Sequence, residues 1–225
     1  MNECKIITSK TRTPQALIEA FRDIPVANID DCMNRLGAID HAIRPVGHKG
    51  QMLGQALTLQ VAPGDNLMLH VAMDMIKPGD VLVIDAGGFE NRAIFGELMA
   101  TYCASKGAVG IVCDGAIRDY DELAELSNIA IYARSATPNG PYKNGPGQIG
   151  VPICVGGKMV HPGDIIVGDS DGIIFISPSE AESLSNAARQ VVNKEKGIRE
   201  NIIKYGTYNR PWVKDKLKEI GCIYL

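Results

Sequence analysis

Apolar and polar positions change period several times along the chain, and each change marks an element. Residues 15–21 repeat apolar positions at helical spacing behind Thr13 and Pro14, a capping residue followed by proline at the first helical position. A second short helix is expected from Asn28, as its cap, to Gly37. Residues 55–61 alternate as a strand does, and Asp65 or Asn66 then opens an apolar helix through Ile76. The turn Pro78-Gly79-Asp80 leads into a short buried strand at 81–85, and Gly87-Gly88 breaks the chain. Residues 94–106 read as a helix stopped by Gly107, 109–113 as another buried strand, 119–126 as a short helix and 129–133 as a further strand. Strand–helix–strand alternation of this kind predicts parallel pairing.

The pattern then shifts. Residues 137–150 are dense in proline, glycine and asparagine and read as a loop inside the domain, because strands resume at once. The short, turn-punctuated runs 151–155, 158–160, 165–167 and 172–176 predict an antiparallel section. Ser177-Pro178-Ser179-Glu180 has the form of a capping box with proline at the first helical position, and it launches a long helix to about Lys204. A tail around Trp212 adds one more helix. The whole reads as an α/β chain with a single domain over 1–225. Its N-terminal segment (about 13–37) and its C-terminal extension (about 178–225) are helical. Pro-Gly-Asp occurs at Pro63, Pro78 and Pro162, twice followed by a β-branched run, which reads as a repeated turn into a strand.

Composition narrows the function classes. With 45% hydrophobic and 22% charged residues, the chain can fill a core. A net charge of −3 gives no electrostatic footprint for nucleic acid. The basic stretch at Lys194, Lys196 and Arg199 is diluted by Glu195 and Glu200 and reads as a solvated helix face. Six scattered cysteines without a Cys-x-x-Cys exclude a zinc cage, and Cys103 and Cys113, in apolar runs, are expected to be buried thiols. Residues 1–10 lack a signal-peptide core, and no apolar run is long enough to span a bilayer. A cytoplasmic location without membrane contact is the expectation.

Candidate chemistry concentrates between Gly87 and Asp121. In open α/β sheets ligands gather beyond the carboxyl ends of strands, and the run from Cys113 to Arg118-Asp119 comes immediately after a buried strand, which puts Arg118 and Asp119 at that edge. Gly96-Glu97 falls near a helix start, where free backbone N–H groups hold a carboxylate or phosphate. Together these groups suit a 2-oxo acid: helix-start amides for its carboxylate, Arg118 for the carbonyl oxygen that becomes an enolate, and Asp119 for a hard divalent cation. An Arg–Asp pair that merely caps the short helix is the alternative left open by these residues alone.

Glu97, twenty intervening residues and then Arg118-Asp119 is a spacing similar to the signature of the class II 4-hydroxy-4-methyl-2-oxoglutarate/4-carboxy-4-hydroxy-2-oxoadipate aldolases. These belong to the RraA-like family, with the regulator of ribonuclease E activity A. The resemblance extends through Phe95-Gly96-Glu97-Leu98, Asp114-Gly115-Ala116-Ile117-Arg118-Asp119, Ala133-Arg134 with Thr137-Pro138, and the block at 160–172. It implies a layered β/β/α fold resembling swivelling phosphohistidine domains, with a long C-terminal helix, assembled as a homotrimer or homohexamer. By the same resemblance Asp119 ligates Mg²⁺ or Mn²⁺, and Arg118 contacts the pyruvyl carbonyl. The amides of Leu98 and Met99 receive the substrate carboxylate beside Gly96. Glu97 stands where many members have aspartate and would orient a water. Glu195, or else Glu200, matches an acid that a neighbouring subunit contributes. Ser135 departs from a glycine common in the family. The implied activity is cleavage of a 4-hydroxy-2-oxo acid to pyruvate, with oxaloacetate decarboxylation through the same enolate. A related lyase or isomerase on another 2-oxo acid, or a protein that binds and inhibits a ribonuclease, are the rival readings.

Other signals carry less. Gly168-Asp169-Ser170-Asp171-Gly172 matches a nucleophile elbow in letters, but strand-like residues flank it on both sides, so a polar hairpin turn is expected. His70 is expected to pack in the core, and Met68, Met73 and Met75 to fill it. No glycine pattern points to a nucleotide cofactor.

Overall fold

Alternation along four neighbouring strands decides the layers. In the computed structural model, which describes residues 4–8, 12–47 and 50–223, the chain divides into two compact units, Met1–Ala188 and Arg189–Leu225. The first begins with β1 (Lys5–Ile6), α1 (Gln15–Glu19), α2 (Val26–Cys32) and β2 (Arg44–Pro45). Its centre is β3 (Met52–Val61), α3 (Leu67–Asp74), β4 (Asp80–Ala93), α4 (Glu97–Ser105), β5 (Gly110–Ile117), α5 (Tyr120–Glu125) and β6 (Ala130–Ala136). Then follow β7 (Gly147–Ile149), β8 (Ile153–Val155), β9 (Lys158–Val160), β10 (Ile165–Gly168), β11 (Ile173–Ile176) and the start of α6 (Ala181–Tyr205). The second unit carries the rest of α6 and α7 (Pro211–Glu219).

Strands β3, β4, β5 and β6 pair in parallel, as the alternation with helices predicts. Successive strand residues point to opposite faces, and here both faces are apolar. Leu57, Leu59, Leu82, Ile84, Ile111, Cys113 and Ile131 join one core, covered by Met68, Leu69 and Ala72 of α3, Ala100 and Cys103 of α4 and Leu123 of α5. Residues of the other parity, Ala56, Val81, Val83, Val112 and Tyr132, join a second core with Ile153, Val155, Val160, Ile166, Ile173 and Phe175 of β8–β11. Helices on one face and short antiparallel strands on the other make the β/β/α layering. The strands β8–β9 and β10–β11 are antiparallel hairpins. The Gly168–Gly172 segment is the turn of the second, closed by the Asp169 N–H donating to the Gly172 carbonyl at 3.0 Å.

The repeated Pro-Gly-Asp is a turn into a strand at two of its three sites. Asp80 accepts the N–H of Lys77 at 2.9 Å and Asp164 that of His161 at 2.7 Å. The strands they launch, β4 and β10, both pair with β3 at Gln55. Burial pushes the Asp164 carboxyl upward against the pull of that N–H.

Several local expectations are corrected. Thr13 caps nothing: α1 has no side-chain cap, and the Thr13 hydroxyl donates to the Gly163 carbonyl instead. Asn28 lies inside α2, whose first N–H, from Val26, donates to Asp169 at 2.9 Å. Gly87-Gly88 does not end β4. Both glycines take positive φ and the strand continues to Ala93 through register shifts, so the pair bends the strand as a bulge does. The fourth helix starts at Glu97, three residues later than expected, and a turn precedes α6 in place of the capping box. His70 is exposed: it falls on the solvent side of α3, whose other face carries Met68, Leu69, Ala72 and Met73. No helix among the described residues is long and apolar enough to cross a membrane.

Candidate active site

The carboxyl end of β5 is threaded between two segments. The Ile94 N–H donates to Ala116 O at 2.8 Å, the Arg118 N–H to Phe95 O at 3.0 Å, and the Thr137 N–H to Ile117 O at 2.8 Å. Arg118 and Asp119 therefore emerge beside the start of α4 and the end of β6. Asp119 occupies the left-handed region, with φ 57° and ψ 47°, a conformation that aspartate tolerates but few residues adopt. It stands at the cap position of α5, yet its carboxylate makes no cap bond there. Oδ2 instead accepts the N–H of Glu97 at 3.1 Å, at the N-terminus of α4, with Arg118 Nε 3.7 Å away. This turns the carboxylate away from the helix-capping role that the residues alone left open.

Gly96 is what permits that approach. A Cβ there would lie 2.1 Å from Asp119 Oδ2 and 3.0 Å from Arg118 Cγ. Behind it, Leu98 and Met99 lie in the first turn of a nine-residue helix that opens at Glu97, and their N–H groups have no upstream helical carbonyl to reach. The helix dipole adds to the attraction for an anion. Glu97 is half-buried, and its Oε1 accepts the Thr101 hydroxyl at 2.8 Å. Arg118, Asp119, Ala136, Thr137 and Pro138 line an open depression of about 360 Å³. Gly96, Glu97, Leu98, Met99, Arg118 and Asp119 thus come together. Glu195, like Glu200, lies in the second unit, exposed on α6.

Sequence reasoning took Asn66 only as a helix cap. Its side chain makes no cap bond. Instead Nδ2 donates to Ile94 O at 2.9 Å and lies 3.6 Å from Met99 Sδ, while Oδ1 is buried with no partner among the described residues. A second omission is the charged cluster under β5. Arg134 pairs with Asp114 and, at 2.9 Å, with Asp40, and the Gly156 N–H donates to Asp114 at 2.8 Å. The Ala42 N–H and then Arg134 hold the Asp40 carboxyl below its ordinary range. Arg134 had a signal, since it follows a buried strand as Arg118 does; its partners are distant in sequence and had none.

The donor set decides what cation the residues could take. Among the described residues no group of three or more His, Cys, Asp or Glu side chains could hold a metal ion. Asp119, with 41% of its side chain exposed, offers a single carboxylate facing solvent. Such a set suits a hard cation that keeps most of its waters, as Mg²⁺ does, and it does not suit zinc.

The model of the RraA-like family, described as Aldolase/RraA, matches residues 26–175. The chain belongs to the RraA-like family. It is 38% identical over 195 residues to a Halalkalibacterium halodurans protein named "Putative 4-hydroxy-4-methyl-2-oxoglutarate aldolase", covering 85% of this chain and 92% of that one. It is 33% identical over 139 residues to the 4-hydroxy-4-methyl-2-oxoglutarate aldolase of Thermus thermophilus, covering 62% of this chain and 84% of that protein. Among solved structures it resembles Streptomyces coelicolor RraAS2, described as an unusual member of the RNase ES inhibitor RraA protein family. The TM-score is 0.76 with 27% identity, over 85% of this chain and 100% of that one. The RraA-like match spans the segments that build the depression, from the Asn66 turn through α4 and β5 to Pro138.

Proposed function

We propose that this RraA-like protein is a carbon–carbon lyase that cleaves 4-hydroxy-2-oxo acids of the 4-hydroxy-4-methyl-2-oxoglutarate type to pyruvate, with help from a divalent metal. The observation that carries this reading is the Asp119 carboxylate turned onto the N-terminus of α4 beside Arg118. The names of the two relatives support the substrate class. The N–H groups of Leu98 and Met99 hold the substrate carboxylate. Arg118 donates to the 2-oxo oxygen and stabilises the negative charge that gathers there as the C3–C4 bond breaks. Glu97, or Glu195 supplied by a neighbouring subunit, orients the water that takes the proton from the 4-hydroxyl. The 4-hydroxyl oxygen becomes the carbonyl of the departing fragment, and the enolate takes the proton back at C3 through that water and leaves as pyruvate. Mg²⁺ or Mn²⁺, held by Asp119, would supply further polarisation of the 2-oxo group. Oxaloacetate loses CO₂ through the same enolate, so its decarboxylation belongs to the same site.

Assembly as a homotrimer or homohexamer is part of the proposal. Ile203, Tyr205, Trp212 and Ile220 are exposed apolar side chains of the second unit that such an assembly would cover. Action in the cytoplasm is also part of it. The test is pyruvate release from 4-hydroxy-4-methyl-2-oxoglutarate and from oxaloacetate, with Mg²⁺, with Mn²⁺ and with EDTA, comparing wild type with Asp119→Ala. Metal-dependent release that disappears in the variant is expected. The likeness to a described ribonuclease inhibitor keeps one rival: tight, metal-independent binding to a ribonuclease with no pyruvate from either substrate would replace the lyase reading.

A further inference from the structure

Beyond the bend at Gly87-Gly88, the last residues of β4 carry Arg92 across to the loop that follows β6. Its Nη1 donates to Gly140 O at 2.8 Å and its Nη2 to the Tyr142 hydroxyl at 2.8 Å. The guanidinium carbon stands 4.0 Å from the centre of the Tyr142 ring. The same loop is tied by backbone bonds: the Ala93 N–H to Asn139 O at 2.8 Å, and the Tyr142 N–H to Gly64 O at 2.8 Å. Asn66 links it onward, because its N–H donates to Tyr142 O at 2.9 Å while its side chain reaches Ile94 O and Met99 of α4. At the other end the loop touches the reacting groups. A Cβ at Gly140 would lie 3.4 Å from Arg118 Nη1, and Thr137 and Pro138 line the depression with Arg118 and Asp119.

We propose that Arg92, clasped to Gly140 and Tyr142, is a positioning residue that sets the distal wall of the site and thereby selects substrates branched at C4. This rests on the lyase reading above. The backbone of Arg118 is fixed apart from the clasp, through its own N–H on Phe95 O, so the reacting end does not hang on the clasp alone. A branched 4-hydroxy-2-oxo acid must fit a methyl and a second carboxylate-bearing arm between Arg118 and the loop. Oxaloacetate places nothing so bulky there. The clasp depends on a planar fork that bonds two acceptors while lying on a ring, which lysine cannot reproduce.

The test measures KM and kcat for 4-hydroxy-4-methyl-2-oxoglutarate and for oxaloacetate in Arg92→Ala, Arg92→Lys and Tyr142→Ala. Hydrogen exchange over residues 137–146 is followed in the same proteins. Arg92→Ala is expected to raise KM for the branched substrate about tenfold, leave oxaloacetate turnover within about twofold, and speed exchange in the loop. Arg92→Lys should fail to rescue, and Tyr142→Ala should reproduce the effect with the Arg92 charge intact. Rescue by lysine with a silent Tyr142→Ala would mean that Arg92 acts as a bare charge, and would overturn the clasp. Equal losses on both substrates would overturn it as well, since the wall would then not be separable from the reacting end. A wild type that releases pyruvate from neither substrate sinks the lyase reading and selectivity with it. Unchanged loop exchange in the variants, in an active enzyme, sinks the clasp alone.

Discussion

Replacing Gly96 with alanine tests the site with one methyl group. That carbon would stand 2.1 Å from Asp119 Oδ2 and 3.0 Å from Arg118 Cγ, against an ordinary contact that begins at 3.4 Å. The carboxylate must therefore retreat by about 3.4 − 2.1 = 1.3 Å along that line. It cannot keep the Glu97 N–H, now 3.1 Å away, while it does so. The backbone of Asp119 offers little relief, because its left-handed φ of 57° already sits in a narrow well. A displacement of about 1 Å in a catalytic group costs on the order of 10²-fold in rate, equivalent to roughly 2.7 kcal/mol of barrier. Folding should scarcely notice. Gly96 is extended, with φ −139° and ψ −164°, which alanine adopts freely, and an N-cap glycine replaced by alanine costs about 1 kcal/mol or less. The assay is kcat for pyruvate release at saturating Mg²⁺, beside the half-saturating Mg²⁺ concentration and the Tm. A roughly hundredfold fall in kcat with a Tm change of about 2–4 °C or less is expected. An alanine variant that keeps more than half the wild-type kcat and its Mg²⁺ response would refute the placement of Asp119.

Arg118→Ala should lower kcat about 10²–10³-fold on both substrates with a smaller change in KM, because it removes a donor to charge that develops only as the bond breaks; a near-normal kcat would strip Arg118 of that role. Arg134→Met should destabilise the fold by about 3 kcal/mol, since it leaves Asp114, only 6% exposed, without its counter-charge. Urea unfolding would measure it, and a loss below about 1 kcal/mol would mean that the pair is dispensable. Burial raises the Cys103 thiol to about 12 and pushes Cys113 the same way, so at pH 8 both stay neutral and unreactive in the folded protein. A thiol-reactive dye should label exposed Cys4, Cys154 and Cys222 quickly and reach Cys103 and Cys113 only on unfolding; prompt labelling of Cys113 would contradict its burial in the helix-covered core.

The core was legible where a local pattern is also the physical cause. Strands β3 to β6 read as strands because their apolar runs are what fill the two cores, and Pro-Gly-Asp read as a turn because Asp80 and Asp164 bond only three residues back. Gly96, Glu97, Arg118 and Asp119 could be singled out from position after a strand and at a helix start. The misread helix caps share one feature, a partner far along the chain. Thr13 is taken by Gly163 and Val26 by Asp169, contacts that outbid a local cap. Gly87-Gly88 looked like a terminator because its positive-φ bend is the same whether or not pairing resumes beyond it. Asp119 gave no warning of its left-handed backbone or of its turn toward α4, since both depend on Gly96 lying across from it.

Two features of this site carry a cost that packing alone does not explain. Asp119 is held in a left-handed conformation, worth on the order of 1–3 kcal/mol of strain in such residues. Asn66 Oδ1 is buried without a partner beside α4, where leaving such a group unpaired costs about 1–3 kcal/mol. A surface that served only to dock against another protein would gain nothing from a strained carboxylate drawn onto a helix start. It would be served better by Asp119 capping α5, at no strain. A site for a small anion with a hard cation gains from this arrangement, because a cationic side chain, a helix start and a solvent-facing carboxylate are brought within a few ångströms of one another. The costs gathered at Asp119 and Asn66 therefore favour a lyase over an inhibitor as the role of this chain.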